Sequence, residues 1–259
     1  MSNGTENKLD ILDWSDWKRV LCVVAHPDDT EYGLSAAVNM WTRAGIEVGY
    51  LLLTAGEAGM KRDPAEAGPL RQGEQRAACD AVGVEHLTIL DHADGHLMPN
   101  LDLRRDIARE IRGYRPDVVI AQNFDVEAPW GLNQADHRAV GLATIDAARD
   151  AGNRWVFTEL ADDGLEPWEA DLLLVAQPGN PTHGVPVDDK AVEAAVHSLE
   201  CHEAYLVDLP GHPAPVDFIP MMLGQAGPAM GAENGVTFRV HELGGVAKSK
   251  DAGADADEA

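Results

Sequence analysis

Cysteine is scarce in this sequence. Only Cys22, Cys79 and Cys201 occur in 259 residues, and they stand far apart. That spacing argues against a disulfide framework and against a cysteine-based zinc site, and leaves all three as reduced core residues. Basic residues are also few, 20 against 44 acidic ones, giving a formal net charge of −24. A surface of that sign repels phosphate backbones and anionic lipid, so nucleic acid is not an expected partner; the excess acid reads as solubility in a salt-rich or acid-rich cell. Long apolar runs are missing as well. None approaches the roughly 20 residues needed to cross a bilayer, and the opening MSNGTENKLD lacks the basic and apolar regions of a signal peptide. The expectation is a soluble cytoplasmic protein with no membrane span.

What is present is a full complement of core-forming residues, 45% hydrophobic, in an alternating pattern. Short apolar runs at 20–25, 46–54, 85–90, 117–122 and 171–176 alternate with helix-like stretches at 31–44, 70–82, 101–114, 135–151 and 188–206. Near-continuous apolar strands separated by helices imply an α/β fold, Rossmann-like and doubly wound, with a mostly parallel sheet and helices on both faces. One domain is expected. Residues 1–210 form its catalytic part with an N-terminal extension in which Trp14 and Trp17 pack as a short helix. Residues 211–250, rich in Gly, Pro and Met with a short helix starting near Phe218, form a C-terminal elaboration. Residues 251–259, DAGADADEA, read as an acidic disordered tail.

In a parallel sheet, ligands bind beyond the carboxyl ends of the strands. The segment Ala25-His26-Pro27-Asp28-Asp29-Thr30-Glu31 follows the first strong strand and falls there. Asp28, Asp29 or Thr30 can cap the following helix. His26 is not explained by capping: His-x-x-Asp at a loop–helix junction can place an imidazole nitrogen and a carboxylate oxygen on one divalent ion, leaving Asp28 free as a base. Both readings stay open on spacing alone.

AHPDDTEYG resembles the Ala-His-Pro-Asp-Asp-x-Glu signature of the LmbE/PIG-L zinc deacetylases, among them the N-acetylglucosaminyl-phosphatidylinositol deacetylases and the deacetylases of mycothiol and bacillithiol biosynthesis. By matching positions, the resemblance implies His26 and Asp29 as zinc ligands and Asp28 as general base. The family's second motif has Asp-His before a helix, matched here by Asp136-His137-Arg138 after the strand at 117–122, so His137 is implied as the third ligand; Asp136 can equally be the N-cap of that helix. The likeness spans roughly residues 20–205. One departure stands out: where better-known members have a His three residues before the last ligand, this chain has Gln134, which can donate a neutral hydrogen bond but cannot carry a proton. His183 and His202 are the substitutes considered for that role, and each can also be an ordinary surface histidine.

Further candidates flank the motifs. The Gly-rich loop at 54–59 lacks a phosphate-binding pattern, so no nucleotide site is expected. Arg71, on the next helix, is implied by the resemblance as a substrate contact, its alternative being a solvated residue paired with Glu74 or Gln75. Asp91-His92-Ala93-Asp94-Gly95-His96 looks like a metal cluster by composition; the resemblance makes Asp94-Gly95 a substrate-facing turn instead. The implied activity is hydrolysis of an N-acyl, usually acetyl, group from an amino-sugar-like small molecule, with Zn2+ as cofactor and a homo-oligomer as an open assembly state. The alternatives are a related metal amidase or esterase acting on a thiol conjugate or secondary metabolite, a non-catalytic zinc-binding member, and a flavodoxin-like or nucleotide-binding domain.

Overall fold

The computed structural model describes residues 8–244. The segment expected to be an acidic tail, 251–259, lies outside the described residues. The chain opens with β1 (Asp10–Ile11) and then lays down β2 (Arg19–Val24), α1 (Ser35–Arg43), β3 (Glu47–Leu52), α2 (Pro64–Val82), β4 (His86–Ile89), α3 (Leu101–Tyr114) and β5 (Val118–Ala121). A small hairpin, β6 (Glu127–Ala128) and β7 (Gly131–Leu132), leads into α4 (Ala135–Gly152), α5 (Thr158–Asp162) and β8 (Leu172–Ala176). The remainder is β9 (His183–Val187), α6 (Asp189–Glu200), α7 (Glu203–Val207), α8 (Pro215–Ala226) and β10 (Asn234–Glu242).

Eight strands form one sheet in the order β1-β9-β10-β8-β5-β2-β3-β4. Strands β8, β5, β2, β3 and β4 run parallel, which confirms the α/β, mostly parallel architecture. Strand β2 is buried on both faces from Val20 onward, as its unbroken apolar run requires. One face is covered by α1, α2, α6 and α8, whose Val38, Trp41, Val82, Leu199 and Leu223 pack with Tyr50 and Phe238. The other is covered by α3 and α4, whose Ile107, Ile111, Val140 and Ala147 pack with Val119 and Leu51.

Chain order reverses at β2: the chain moves outward through β3 and β4, then returns to the other side of β2 for β5 and β8. The crevice beyond the carboxyl ends of β2 and β5 is therefore the switch point where doubly wound sheets bind ligands. His26 to Glu31 leave β2 at this crevice, and the chain that leaves β5 there carries Asn133 to His137.

Several local expectations change. The stretch around Trp14 and Trp17 is a strand and a turn, with β1 parallel to β9; Trp17 packs on Trp41 at 5.5 Å between ring centroids. The helix expected at 188–206 breaks at Cys201 and His202 into α6 and α7. The helix at 70–82 begins earlier, at Pro64, because Asp63 accepts a hydrogen bond from the Ala65 amide at 2.9 Å and Pro64 suits the first helical position. Strand β10 is antiparallel to β8 and β9. Its apolar residues Val236, Phe238 and Val240 alternate with polar ones, unlike the continuous runs of the parallel strands, and it follows a Gly/Pro-rich stretch. Among the described residues no helix is long and apolar enough to cross a membrane.

Gly141 sets how closely α4 approaches the end of β5. A Cβ there would lie 2.5 Å from the Gln122 carbonyl oxygen and 2.7 Å from the Phe124 Cβ. Gly141→Ala is expected to push α4 off the sheet, lowering stability by about 1–3 kcal/mol and displacing His137, one turn earlier on the same helix. Urea unfolding and metal affinity measured on the same sample check this; an unchanged affinity contradicts it.

Candidate active site

Helix α1 begins at Ser35, its N-cap Leu34 making no side-chain bond. Asp28, Asp29 and Thr30 therefore do not cap it, contrary to one of the two sequence readings. Asp29 instead folds back on the chain that precedes it: its Oδ2 accepts from the backbone amides of His26 at 2.8 Å and Ala25 at 3.0 Å. Asp28 sits at φ +84°, a left-handed conformation that costs a non-glycine residue roughly 1–3 kcal/mol and collects at functional sites. Its amide donates to Gln75 Oε1 at 2.9 Å.

Two imidazoles converge on Asp29. His137 Nε2 lies 3.1 Å from Asp29 Oδ1, and His26 Nδ1 lies 3.6 Å from Asp29 Oδ2. The ligand atoms of His26, Asp29 and His137 all fall within 4.8 Å of one another. The far nitrogens are anchored. His26 Nε2 meets Asp94 Oδ1 at 3.0 Å and Asp136 Oδ2 at 3.4 Å, and His137 Nδ1 meets Asn133 Oδ1 at 3.1 Å. An imidazole that donates its N–H to an oxygen on one side presents a lone pair on the other, the usual arrangement of a metal-ligating histidine. Two such lone pairs and a carboxylate at one point suit a divalent cation.

His26, Asp94 and Asp136 form a second grouping able to hold a metal. Its carboxylates are already engaged: Asp136 accepts from the Gly95 and Leu97 amides at 2.7 and 3.2 Å, and Asp94 from the Ala58 amide at 2.7 Å. This grouping orients His26. Asp136 lies inside the first turn of α4, whose N-cap is Gln134, so the N-cap reading of Asp136 is replaced by a buried carboxylate behind His26.

Charge is finely divided here. Burial pushes the Asp28 carboxyl up to about 6, against the pull of Arg71. Burial also works to raise Asp29, but His137 and His26 outweigh it and hold Asp29 well below the ordinary carboxylate value. Burial disfavours charge on His26, yet Asp136, Asp29 and Asp94 hold it well above the ordinary imidazole value. One oxygen of Asp28, Oδ2, is buried without a hydrogen-bond partner among the described residues.

Arg71 is 2% exposed. It donates to the Pro27 and Gly56 carbonyls at 2.6 and 2.9 Å, lies 3.3 Å from Asp28 Oδ1 and stacks at 4.0 Å on the Tyr205 ring. The solvated-face alternative for Arg71 is thereby excluded. His202 is fully buried, its Nε2 3.6 Å from Glu31 Oε2, and is not a surface histidine. Gln134 is exposed at the start of α4. His183 lies on β9, where its Nδ1 meets the Thr182 hydroxyl at 2.8 Å. In the 91–96 segment, His92 pairs with Asp106 at 3.1 Å and the His96 ring with the Asp94 carbonyl at 2.9 Å. Only Asp94 of that segment reaches the metal-ligand cluster.

The sequence did not single out the supporting residues Asn133, Glu31 and Tyr32, and offered Asp136 only as an N-cap. Glu31 is 1% exposed and accepts from Thr30, Gln75 and Ser198. Its position inside AHPDDTE was the signal available. Tyr32, whose hydroxyl meets His212 Nε2 at 2.9 Å, lines with Asp29 and His137 a cavity of about 930 Å³.

The fold and this cluster define a class: a doubly wound α/β protein with a His/Asp/His site at the sheet's switch point. Residues 21–148 match the family described as PIG-L, GlcNAc-PI de-N-acetylase. The diacetylchitobiose deacetylase of Thermococcus kodakarensis is 29% identical over 196 residues, 74% of this chain and 71% of that protein. The 1D-myo-inositol 2-acetamido-2-deoxy-alpha-D-glucopyranoside deacetylase of Kineococcus radiotolerans is 28% identical over 63% of this chain and 53% of its own length. Among solved structures, N,N'-diacetylchitobiose deacetylase from Pyrococcus horikoshii superposes with a TM-score of 0.79 at 23% identity, covering 88% of this chain and 85% of that one. The 4-carboxy-2-hydroxymuconate hydratase GalB of Pseudomonas putida also shares the fold, with a TM-score of 0.68 at 16% identity over 89% of this chain and 100% of that one.

Burial opposes charge on His202, but the Glu31 side chain, with Asp28 and Glu74 adding, holds its pKa above the ordinary imidazole value. A pKa raised on folding stabilises fully below the unfolded value of about 6.5 and ceases to do so as pH rises through the folded value. Wild-type urea midpoints are therefore expected to fall from pH 6 to pH 9 by more than those of His202→Gln; equal slopes contradict the buried ion pair.

Proposed function

We infer that the chain is a zinc-dependent hydrolase that removes an N-acyl group, acetyl in its named relatives, from an amino-sugar-like small molecule. The observation that carries this reading is the unpartnered carboxylate oxygen of Asp28, buried beside the convergent His26, Asp29 and His137. Those three residues would hold the ion. A divalent cation bound there supplies Lewis-acid polarisation of the amide carbonyl and makes nearby water more acidic.

The protein's own groups do the rest. Asp28 takes a proton from the attacking water, whose oxygen bonds to the acyl carbon, and returns one to the departing nitrogen as the C–N bond breaks. The products are a carboxylic acid and a free amine. Arg71 fixes the Asp28 carboxylate from behind, at 3.3 Å. His202, fully buried, acts on Asp28 through charge and makes no contact with substrate. Two neutral donors are available for the oxyanion: the Tyr32 hydroxyl on the cavity wall and the Gln134 amide at the exposed start of α4. Whichever of Tyr32→Phe and Gln134→Ala loses kcat identifies the donor. Asp94, held by His26 and the Ala58 amide, acts through His26, while the Gly95 turn beside it faces substrate.

A non-catalytic zinc-binding member and a metal hydrolase of another substrate class are the competing readings; Gln134, standing where a His was expected, is the residue that favours the first. The zinc-loaded chain is expected to release acetate from N-acetylglucosamine conjugates, and a chelator to stop it. Asp28→Asn should keep its zinc and lose at least a hundredfold in kcat, in keeping with removal of a general base. Retained turnover in Asp28→Asn, measured with zinc content on the same sample, removes Asp28 from this role; acetate release unaffected by chelation removes the metal.

A further inference from the structure

The cavity that begins at Asp29 and His137 extends away from the metal ligands toward β8, β10 and α8. Its volume, about 930 Å³, lies at the upper end of the range that holds drug-sized ligands, roughly 300–1,000 Å³. An acetyl group fills little of it. The far wall is made by Phe218, Met221, Met222, Ala226 and Ala229 from α8 and the turn after it, faced by Trp130 of the β6–β7 hairpin. The far wall carries no formally charged residue; among the described residues that line the whole cavity Asp29 is the one carboxylate, at the metal end, in a chain where one residue in four is charged. Met221 and Trp130 remain 53% and 52% exposed at its edge, an arrangement that costs solubility unless an apolar partner covers it.

The two sides of the site differ in chemistry. Loops following β3 and β4 bring Glu57, Asp94 and the exposed His96, whereas on the other side α8 brings Phe218, Met221 and Met222, with Gln177, Asn180 and Thr237 of the β8 and β10 ends lying between them and the metal ligands. An N-acyl amino sugar has the same division across its amide: a hydroxyl-bearing ring on nitrogen and an acyl group on carbon.

We propose that the apolar cavity takes the acyl chain, and that the substrate carries a linear aliphatic acyl group longer than acetyl. This rests on the hydrolase reading above. Each methylene entering the cavity should raise kcat/KM by up to about fourfold. Methionine, flexible and polarizable, suits a wall that accommodates a chain.

The test uses the full chain and N-acylglucosamines from acetyl through hexanoyl to octanoyl. Turnover is followed with zinc, and binding by calorimetry on chelated protein. N-octanoylglucosamine is expected to bind at least tenfold tighter than N-acetylglucosamine and to be hydrolysed with higher kcat/KM. Met221→Asp, at an exposed position that folding tolerates, and Ala226→Phe, which fills the cavity, should each flatten that dependence on chain length. Equal binding of acetyl and octanoyl compounds overturns the proposal. So does a gain confined to the octyl glycoside of N-acetylglucosamine, which places the aglycone in the cavity instead. Tighter octanoyl binding without turnover upholds the cavity's ligand and overturns the hydrolase reading alone.

Discussion

Four carboxylates, those of Asp28, Asp29, Asp94 and Asp136, are buried around the ends of β2, β4 and β5, and the surrounding structure is organised to tolerate them. Burying carboxylate charge is costly unless each oxygen finds a donor or a cation. Backbone amides supply most donors: those of Ala25 and His26 to Asp29, Ala58 to Asp94, and Gly95 and Leu97 to Asp136. Arg71 supplies positive charge next to Asp28 and is itself fixed by two carbonyls. One oxygen of Asp28 stays without a partner among the described residues, beside the point where His26, Asp29 and His137 meet. The ligand atoms of these three residues lie within 4.8 Å of one another and could hold a divalent cation.

The sheet makes this possible by topology. Because the chain reverses direction across the sheet at β2, the loops after β2 and β5 diverge to opposite faces and leave a crevice between them. His26 and Asp29 come from one loop and His137 from the other. Gly141 then lets α4 lie close enough to bring His137 in. The same sheet carries the GalB hydratase, so the architecture alone does not select a reaction; the side chains at the crevice do.

The parallel core was legible in the sequence because strand segments buried on both faces must be free of charge, and residues 20–24 of β2, 48–52 of β3 and 118–121 of β5 are. His26 and Asp29 sit at a strand end, where a fold of this kind presents ligands, but spacing alone left their role open; it was the resemblance of AHPDDTEYG to the deacetylase signature that implied them as metal-ligand candidates. Strand β10 was not legible, because its alternating Val236, Phe238 and Val240 follow a segment rich in Gly, Pro and Met. The break between α6 and α7 was hidden too, since Cys201 and His202 interrupt the helix without a Gly or Pro to mark it. Asp136 was misread because an acid beside a helix start satisfies the N-cap pattern equally well; its contact with His26 is 110 residues away in sequence and leaves no local trace. The apolar cavity likewise depends on α8 and β10 meeting the β2 loop, a tertiary fact that no local window contains.

We propose that the buried acidic cluster holds a divalent cation. Thermal unfolding of the chelated chain, with and without added zinc, tests it most directly, because a ligand bound only by the folded state stabilises by RT ln(1 + [L]/Kd), about 2.7 kcal/mol at a hundredfold excess over Kd. Tm is expected to rise with zinc in the wild-type chain and not to rise in Asp29→Asn. A wild-type Tm indifferent to zinc contradicts it.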